Sequence, residues 1–462
     1  MTFLLLVLPA FMLQSCLKDD DEVFDKNSAN RMAEYLVKAK EVLTSGNATW
    51  LMEMYPEADQ SYGGYAFTIK FEGENAIVRS DLFKSSYETS SLWTLTDDDG
   101  PVLTFDTYNE ILHYFSTPGP GSSGSAVFPN TPGYVAFEGE FGWIIQDVQQ
   151  DVIKLRGKKT GNTVYMYRMT EDPKEYIEKA QGISEQMIFT GLKYVNGDDV
   201  IEGIIDVDYR QITFTHGEEE QTIAFAVTPT GLRLYKDLEM GGVTVRELAL
   251  VMNGSTPVSM DSPDGVSFAA TFPKGWSSYD TFNGDFLFRV LPSSKGEAVD
   301  VPVTLTPAGD GINYWLTGLS DNFDIKMKYD KPTGTLQMTG QILADKNDHS
   351  AVATATVNEK DYSMGMISFA LPAGASSGSV SYSTTIGIKL EATDEPGTFK
   401  VSDNGKWSGQ SVTCMRVYCF SSATTMSSST RQSSVTVPND YRFNIGGTYT
   451  TTLYYPKALI KQ

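Results

Sequence analysis

Two periods alternate along this chain. From Met32 to Leu43 the apolar positions Met32, Tyr35, Leu36, Ala39, Val42 and Leu43 recur at three and four, with Lys38 and Glu41 on the other face. That spacing predicts an amphipathic helix, entered at Asn27-Ser28 and stopped by Ser45-Gly46-Asn47. Beyond it the period falls to two. Tyr65 to Phe71 and Ala76 to Arg79 flank Glu72-Gly73-Glu74-Asn75 as a hairpin, and Ser91 to Leu95 leads by a polar turn to Gly100-Pro101-Val102-Leu103-Thr104-Phe105. Further strands are expected at Gly142 to Ile145, Val152 to Leu155 and Thr163 to Arg168. The Gly-, Ser- and Pro-rich run 116–133 reads as an exposed loop.

The pattern then restarts. A second helix opens at Asp172-Pro173, where Glu175-Tyr176-Ile177-Glu178-Lys179-Ala180 echoes Glu34-Tyr35-Leu36-Val37-Lys38-Ala39. Strands at Ile204 to Asp208 and Arg210 to Thr215 follow, with a turn at His216-Gly217-Glu218. Phe225 to Tyr235 then echoes the stretch from Trp93 to Phe105. One helix and a strand-turn-strand block used twice in the same order suggest two related helix-plus-β-meander units. After about residue 256 the chain is strands alone, at Val301 to Leu305, Asn313 to Leu316, Ile325 to Tyr329, Thr335 to Thr339 and Thr385 to Leu390, and Ser421 to Ser434 reads as a polar loop. The expected fold is therefore mainly β with a few helices: units at 29–170 and 171–256, then an antiparallel β-sandwich or barrel at 257–462.

The ends of the pattern suggest location. Phe3 to Met12 is an apolar run of signal-peptide length, with no Lys or Arg before it, and Leu13-Gln14-Ser15-Cys16 closes it with a small residue beside a cysteine. We expect a lipoprotein signal at 1–15, a lipid on Cys16 and an acidic tether at 16–28. Lys18, Asp19 and Asp20 resemble the export signal that Bacteroidetes lipoproteins carry after the lipidated cysteine, and the resemblance implies a protein anchored in the outer membrane and facing the cell surface.

Composition narrows the partners. The chain carries 36 basic and 58 acidic residues in 462, a net charge of -22, which argues against nucleic acid because that binding rests on Lys and Arg neutralising phosphates. Cys414 and Cys419, five apart on one predicted strand, fall on opposite faces and are expected to be small buried residues rather than a bridge. No zinc-type spacing occurs, and His113, His216 and His349 lie in separate regions. Asp97-Asp98-Asp99-Gly100 and Asp345-Lys346-Asn347-Asp348-His349 are acidic turns considered for calcium, without the closing glutamate of a full calcium loop. No pair of carboxylates is singled out for catalysis, so an enzyme is the less favoured reading. The ligand-binding candidates are aromatics near turns, Tyr134 and Trp143 by the long loop and Trp276, Tyr279 and Phe282 farther on, since flat rings stack on sugar faces.

The lipobox, the acidic run, Asp25-Lys26-Asn27-Ser28, Tyr62-Gly63-Gly64-Tyr65 and Gly100 to Phe105 together resemble a family of Bacteroidetes surface lipoproteins catalogued as domain of unknown function 4302. The resemblance implies a place beside SusC/SusD-type import systems, as an accessory that binds a glycan, peptide or other nutrient. A secreted glycosidase or peptidase, and an adhesive or structural lipoprotein, are the alternatives.

Overall fold

The computed structural model describes residues 28–98, 100–118, 136–372, 375 and 377–462. The described residues form two compact units. The first holds the residues up to Gln186 with Asn196–Ala249 and Asp261–Val266, and the second holds Met187–Val195, Leu250–Met260 and Ser267–Gln462. The fold is mainly β, with two α-helices among the described residues.

Helix α1 (Ser28–Thr44) precedes eight strands: β1 (Thr49–Met54), β2 (Tyr65–Glu72), β3 (Asn75–Ser80), β4 (Thr89–Thr96), β5 (Val102–Phe105), β6 (Gly142–Val148), β7 (Val152–Gly157) and β8 (Thr163–Arg168). Each pairs with the next, and β8 returns to β1, closing a barrel. Eight strands leave an interior that side chains just fill. Trp50, Met52, Phe67, Ile69, Val78, Leu103 and Trp143 fill it, and Ala39 and Leu43 of α1 join the same core. The helix is tied down at its end, where Trp50 Nε1 donates to Leu43 O at 2.9 Å and Arg168 donates to the carbonyls of Val42 and Ser45. Those carbonyls are acceptors that a helix terminus leaves without an internal partner.

Helix α2 (Pro173–Gln186) starts at the predicted signal, with Asp172 Oδ1 accepting from the Lys174 and Glu175 amides at 2.9 and 3.0 Å. Its Tyr176 and Ile177 pack on Leu51 and Ala66, outward-facing residues of the first barrel. Then come β9 (Gly191–Asn196), β10 (Asp199–Asp206), β11 (Gln211–His216), β12 (Glu219–Val227), β13 (Gly231–Met240), β14 (Val243–Asn253), β15 (Thr256–Asp261) and β16 (Ser267–Thr271), again a closed barrel in sequence order. The strand expected at Ile204 to Asp208 begins earlier, at Asp199, and its last residues enter a turn where Asp206 Oδ1 caps the amides of Asp208 and Tyr209. The echoed blocks fall on β4–β5 and on β12–β13, the fourth and fifth strands of their barrels.

In the second unit a third barrel follows: β17 (Gly284–Leu291), β18 (Val299–Pro307), β19 (Asn313–Thr317), β20 (Phe323–Asp330) and β21 (Thr335–Thr339). Strand β22 (Lys360–Ala370) leaves this wall. The wall resumes with β23 (Gly387–Ala392) and β24 (Thr398–Asp403), passes β25 (Cys414–Phe420), and ends with β26 (Thr452–Lys461). Leu459 of β26 sits opposite Phe288 of β17 on one side and Phe399 of β24 on the other, so these eight strands close a ring. Strands β22 and β25 pair with each other and hang as an annex from the first half of β26. The inner face of the ring carries Phe286, Phe288, Leu305, Tyr314, Leu316, Ile325, Met327 and Leu390.

Candidate functional site

The outward phase of β19 and β20 makes a cleft. Tyr314 and Leu316 point into the third barrel, which turns Asn313 and Trp315 outward; Ile325, Met327 and Tyr329 point in, which turns Lys326 and Lys328 outward. These four side chains form the floor of a cleft of about 680 Å³. Its walls are the segments Thr339–Ala344 and His349–Val352, with Tyr382, Thr384, Thr424 and Met426. None of the lining residues carries a carboxylate.

Trp315 has two close neighbours. The His349 ring stacks on it with centroids 3.9 Å apart and planes 23° apart, and the Lys326 ammonium stands 5.6 Å from the indole centroid. His349 Nε2 is 2.8 Å from Oδ2 of Asp324, a residue only 2% exposed. Burial holds the Asp324 carboxyl above the usual carboxylate range, and the hydrogen bond from His349 works against that rise. Asp324 Oδ1 has no hydrogen-bond partner among the described residues. Gln341 braces the floor, accepting from the Lys326 amide and donating to the Lys326 carbonyl, both at 2.9 Å. The pair of Asp324 and His349 orients an imidazole beside the indole. The nearest candidate nucleophile on the rim, Ser350 Oγ, donates to Asp348 Oδ1 at 2.6 Å instead.

The aromatics singled out in the sequence go elsewhere. Trp143 is 0% exposed inside the first barrel, where its ring meets Phe105 edge-on at 5.8 Å. Tyr279 and Phe282 lie on a short 3-10 turn in the core of the third barrel; Tyr279 donates to Asn313 O and its carbonyl accepts from Tyr314 Oη, while Phe282 meets Phe399 at 4.7 Å. Trp276 stacks on Phe272 at 3.8 Å and donates to Lys331 O. Trp143, Tyr279 and Phe282 therefore offer no ring face to a ligand, because closing a barrel demands large side chains in its bore. Tyr134 lies outside the described residues, as do Cys16, Lys18, Asp19 and Asp20.

The acidic turns are committed locally. Asp345 Oδ1 caps the amides of Asn347 and Asp348, Asp348 Oδ1 accepts from Ser350, and Asp98 pairs with Lys158 at 3.4 Å; Asp99 lies outside the described residues. Among the described residues no group of three His, Cys, Asp or Glu converges on a point. Cys414 and Cys419 are free and buried. A signal for this cleft was present in the sequence: Trp315 stands in the polar phase of an alternating strand, where register turns an aromatic outward.

A smaller cavity of about 270 Å³ in the first unit is lined by Glu53, Tyr55, Lys154, Tyr165, Tyr167, Tyr235 and Arg246. Arg233 joins Glu53 to Glu247 there and lies over the Tyr167 ring.

Comparison with family profiles matches residues 20–252 to a domain of unknown function, DUF4302. The chain belongs to the DUF4302 family. A second domain of unknown function, DUF4987, matches residues 261–373 of this DUF4302 protein and takes in the cleft floor. No curated protein matches it. Among solved structures, the β subunit of DNA polymerase from Streptococcus pyogenes aligns at 9% identity over 67% of this chain and 94% of that one, with a TM-score of 0.10. A putative 6-phosphogluconolactonase from Bacteroides uniformis aligns at 12% identity over 79% and 94%, also with a TM-score of 0.10. At such scores neither likeness bears on fold or function.

Proposed function

We propose that this DUF4302 protein is a lipid-anchored binding protein of the outer membrane, facing the cell surface, that captures a glycan in the third-barrel cleft for a SusC/SusD-like importer. The observation that carries the binding reading is the cleft itself. A rigid barrel wall presents Trp315, Lys326 and Lys328 in its outward phase beneath loops rich in Thr, Ser and Gln, and a concave site with a few convergent polar groups on a fixed scaffold suits capture. The anchor rests on Leu13-Gln14-Ser15-Cys16 and on the acidic residues that follow. A hydrolase would draw on Asp324 and His349, which supply an oriented acid-base group with no nucleophile hydrogen-bonded to the imidazole among the described residues.

The test is a glycan array probed with the full chain and with Trp315→Ala. Retention of one saccharide class by the wild type, lost in the variant and without cleavage of the captured glycan, supports the proposal. Undiminished retention by Trp315→Ala moves the site elsewhere, and shortened glycan on the array makes the protein a hydrolase.

A further inference from the structure

The annex beside the cleft carries an unusual row of side chains. On the outward face of β25, Arg416 lies over Tyr418 with its guanidinium carbon 5.1 Å from the ring centroid, and 5.6 Å from that of Phe369 on the paired strand β22. Arg431 covers Tyr418 at 4.9 Å and reaches Tyr382 at 5.8 Å. The row thus runs Phe369, Arg416, Tyr418, Arg431, Tyr382, with rings and guanidiniums alternating. Its last member lines the cleft.

These cations are uncompensated. Arg79, Arg168, Arg210, Arg233, Arg246 and Arg289 each pair with a carboxylate. Arg416 and Arg431 meet no carboxylate within ion-pair distance among the described residues, and the Nε–H of each is buried without an acceptor. Lys326 and Lys328, two apart on β20 and so on one face, likewise make no ion pair within 4 Å among the described residues, Lys326 acting on Asp310 only at longer range. The carboxylates near the cleft are engaged: Asp324 with His349, Asp310 with Asn313, Asp348 with Ser350. In a chain of net charge -22, two lysines in the cleft floor and two arginines in the row that reaches its wall at Tyr382, none of them in an ion pair, are a local inversion of sign. Screening over about 8 Å at physiological salt leaves a ligand in the cleft governed by these near charges rather than by the distant acidic surface.

We propose that the cleft and the arginine-aromatic row form one site for an acidic oligosaccharide, whose carboxylate or sulfate groups pair with Lys326, Lys328, Arg416 and Arg431. Ring contacts hold each guanidinium in plane and partly desolvated, and its fork of N–H donors matches a planar carboxylate or a sulfate face. The inference rests on the glycan reading above and adds the charge of the sugar. The match of cation to aromatic neighbour suits a saccharide, whose apolar ring faces need flat partners and whose acidic groups need forks.

Isothermal titration of the detergent-solubilised full chain with three probes tests it: a neutral glucose hexasaccharide, a galacturonate hexasaccharide and a sulfated hexasaccharide, at low and high ionic strength. At least one acidic probe is expected to bind about tenfold or more tightly than the neutral one and to weaken with salt, and which one binds tells carboxylate from sulfate. Arg431→Gln and the double variant Lys326→Gln/Lys328→Gln each bring that affinity down to the neutral level. Arg431 is half-buried, so circular dichroism checks its fold; the two lysines are exposed and decide the matter if Arg431→Gln does not fold. Neutral binding as tight as acidic, or acidic binding unchanged in the double variant, overturns the charge inference while leaving glycan capture standing. Failure of all three probes overturns the charge inference as well and counts against capture itself.

Discussion

Glu53 is a carboxylate whose surroundings oppose its charge. It is 6% exposed, and burial raises its pKa despite the Arg233 guanidinium beside it, which lowers it less. Arg233→Met leaves that carboxylate buried without its ion pair and with only the charge of Arg246 to offset burial, which costs about 3 kcal/mol at neutral pH by urea unfolding. A raised carboxyl pKa means the folded state holds the proton more tightly than the unfolded one. The stability this contributes is present below the unfolded pKa and is lost as pH rises through the folded value. The deficit of Arg233→Met is therefore expected to shrink between pH 7 and about pH 5, and a deficit that grows on acidification would show Glu53 ionised and paired elsewhere. Burial acts in the same direction on the two cysteines of β25. Burial pushes the Cys419 thiol up to about 11 and raises that of Cys414, so at pH 8 about one Cys419 in a thousand is thiolate. Mass spectrometry after iodoacetamide should find both unmodified in the folded protein and both alkylated in guanidinium.

At the scale of elements, the Tyr62-Gly63-Gly64-Tyr65 motif explains itself where β2 meets the turn before β11. A Cβ on Gly63 would sit 2.5 Å from the Tyr209 carbonyl and from Arg210 Cβ, at a φ of +73°, and one on Gly64 would sit 2.3 Å from the Tyr55 ring. That contact lets Arg210 reach Asp81 at 2.7 Å, donate to Gly64 O at 2.8 Å and cover the Tyr65 ring at 4.1 Å. Gly63→Ala is expected to cost at least about 2 kcal/mol, because strain and backbone clash add, while Gly73→Ala, at a similar φ with open space around it, costs about 1 kcal/mol. Equal costs in chemical denaturation would show that conformation alone, and not the approach of Arg210, matters there. The same elements show what could be read in advance. The β2–β3 hairpin was legible because its residues alternate in type, with Tyr65, Phe67, Ile69 and Phe71 two apart, although the first five residues of β2 are all buried. Strand β1 was not, since five of its six residues are buried, Leu51 outward beneath Tyr176 and Ile177. Strand β22 was missed for the same reason, its last eight residues being buried. The cleft escaped because its floor on β19 and β20 is walled by residues far along the chain, Tyr382, Thr384, Thr424 and Met426, whereas Trp143 and Tyr279 advertised themselves beside turns and proved to be core.

At the scale of the whole molecule, family boundaries and barrel boundaries do not coincide. The DUF4302 match ends at residue 252, inside β14, yet the second barrel is completed by β15 and β16. Strand β16 pairs with β9 through Ala269 with Lys193, Ala270 with Leu192 and Thr271 with Gly191, and Thr190 N donates to Thr271 O at 3.0 Å. A chain cut at 252 therefore strips β9 of its partner, exposes a strand edge and removes Phe268, which is 0% exposed in the intact chain. A chain cut after Phe272 keeps both. The expectation is that the product ending at 252 aggregates or unfolds without a cooperative transition, while the product ending at 272 melts cooperatively, each followed by circular dichroism and size exclusion. Cooperative melting of the shorter product at the same temperature as the longer one would show that β9 to β14 need no closing strands, and that the barrel tolerates an open seam.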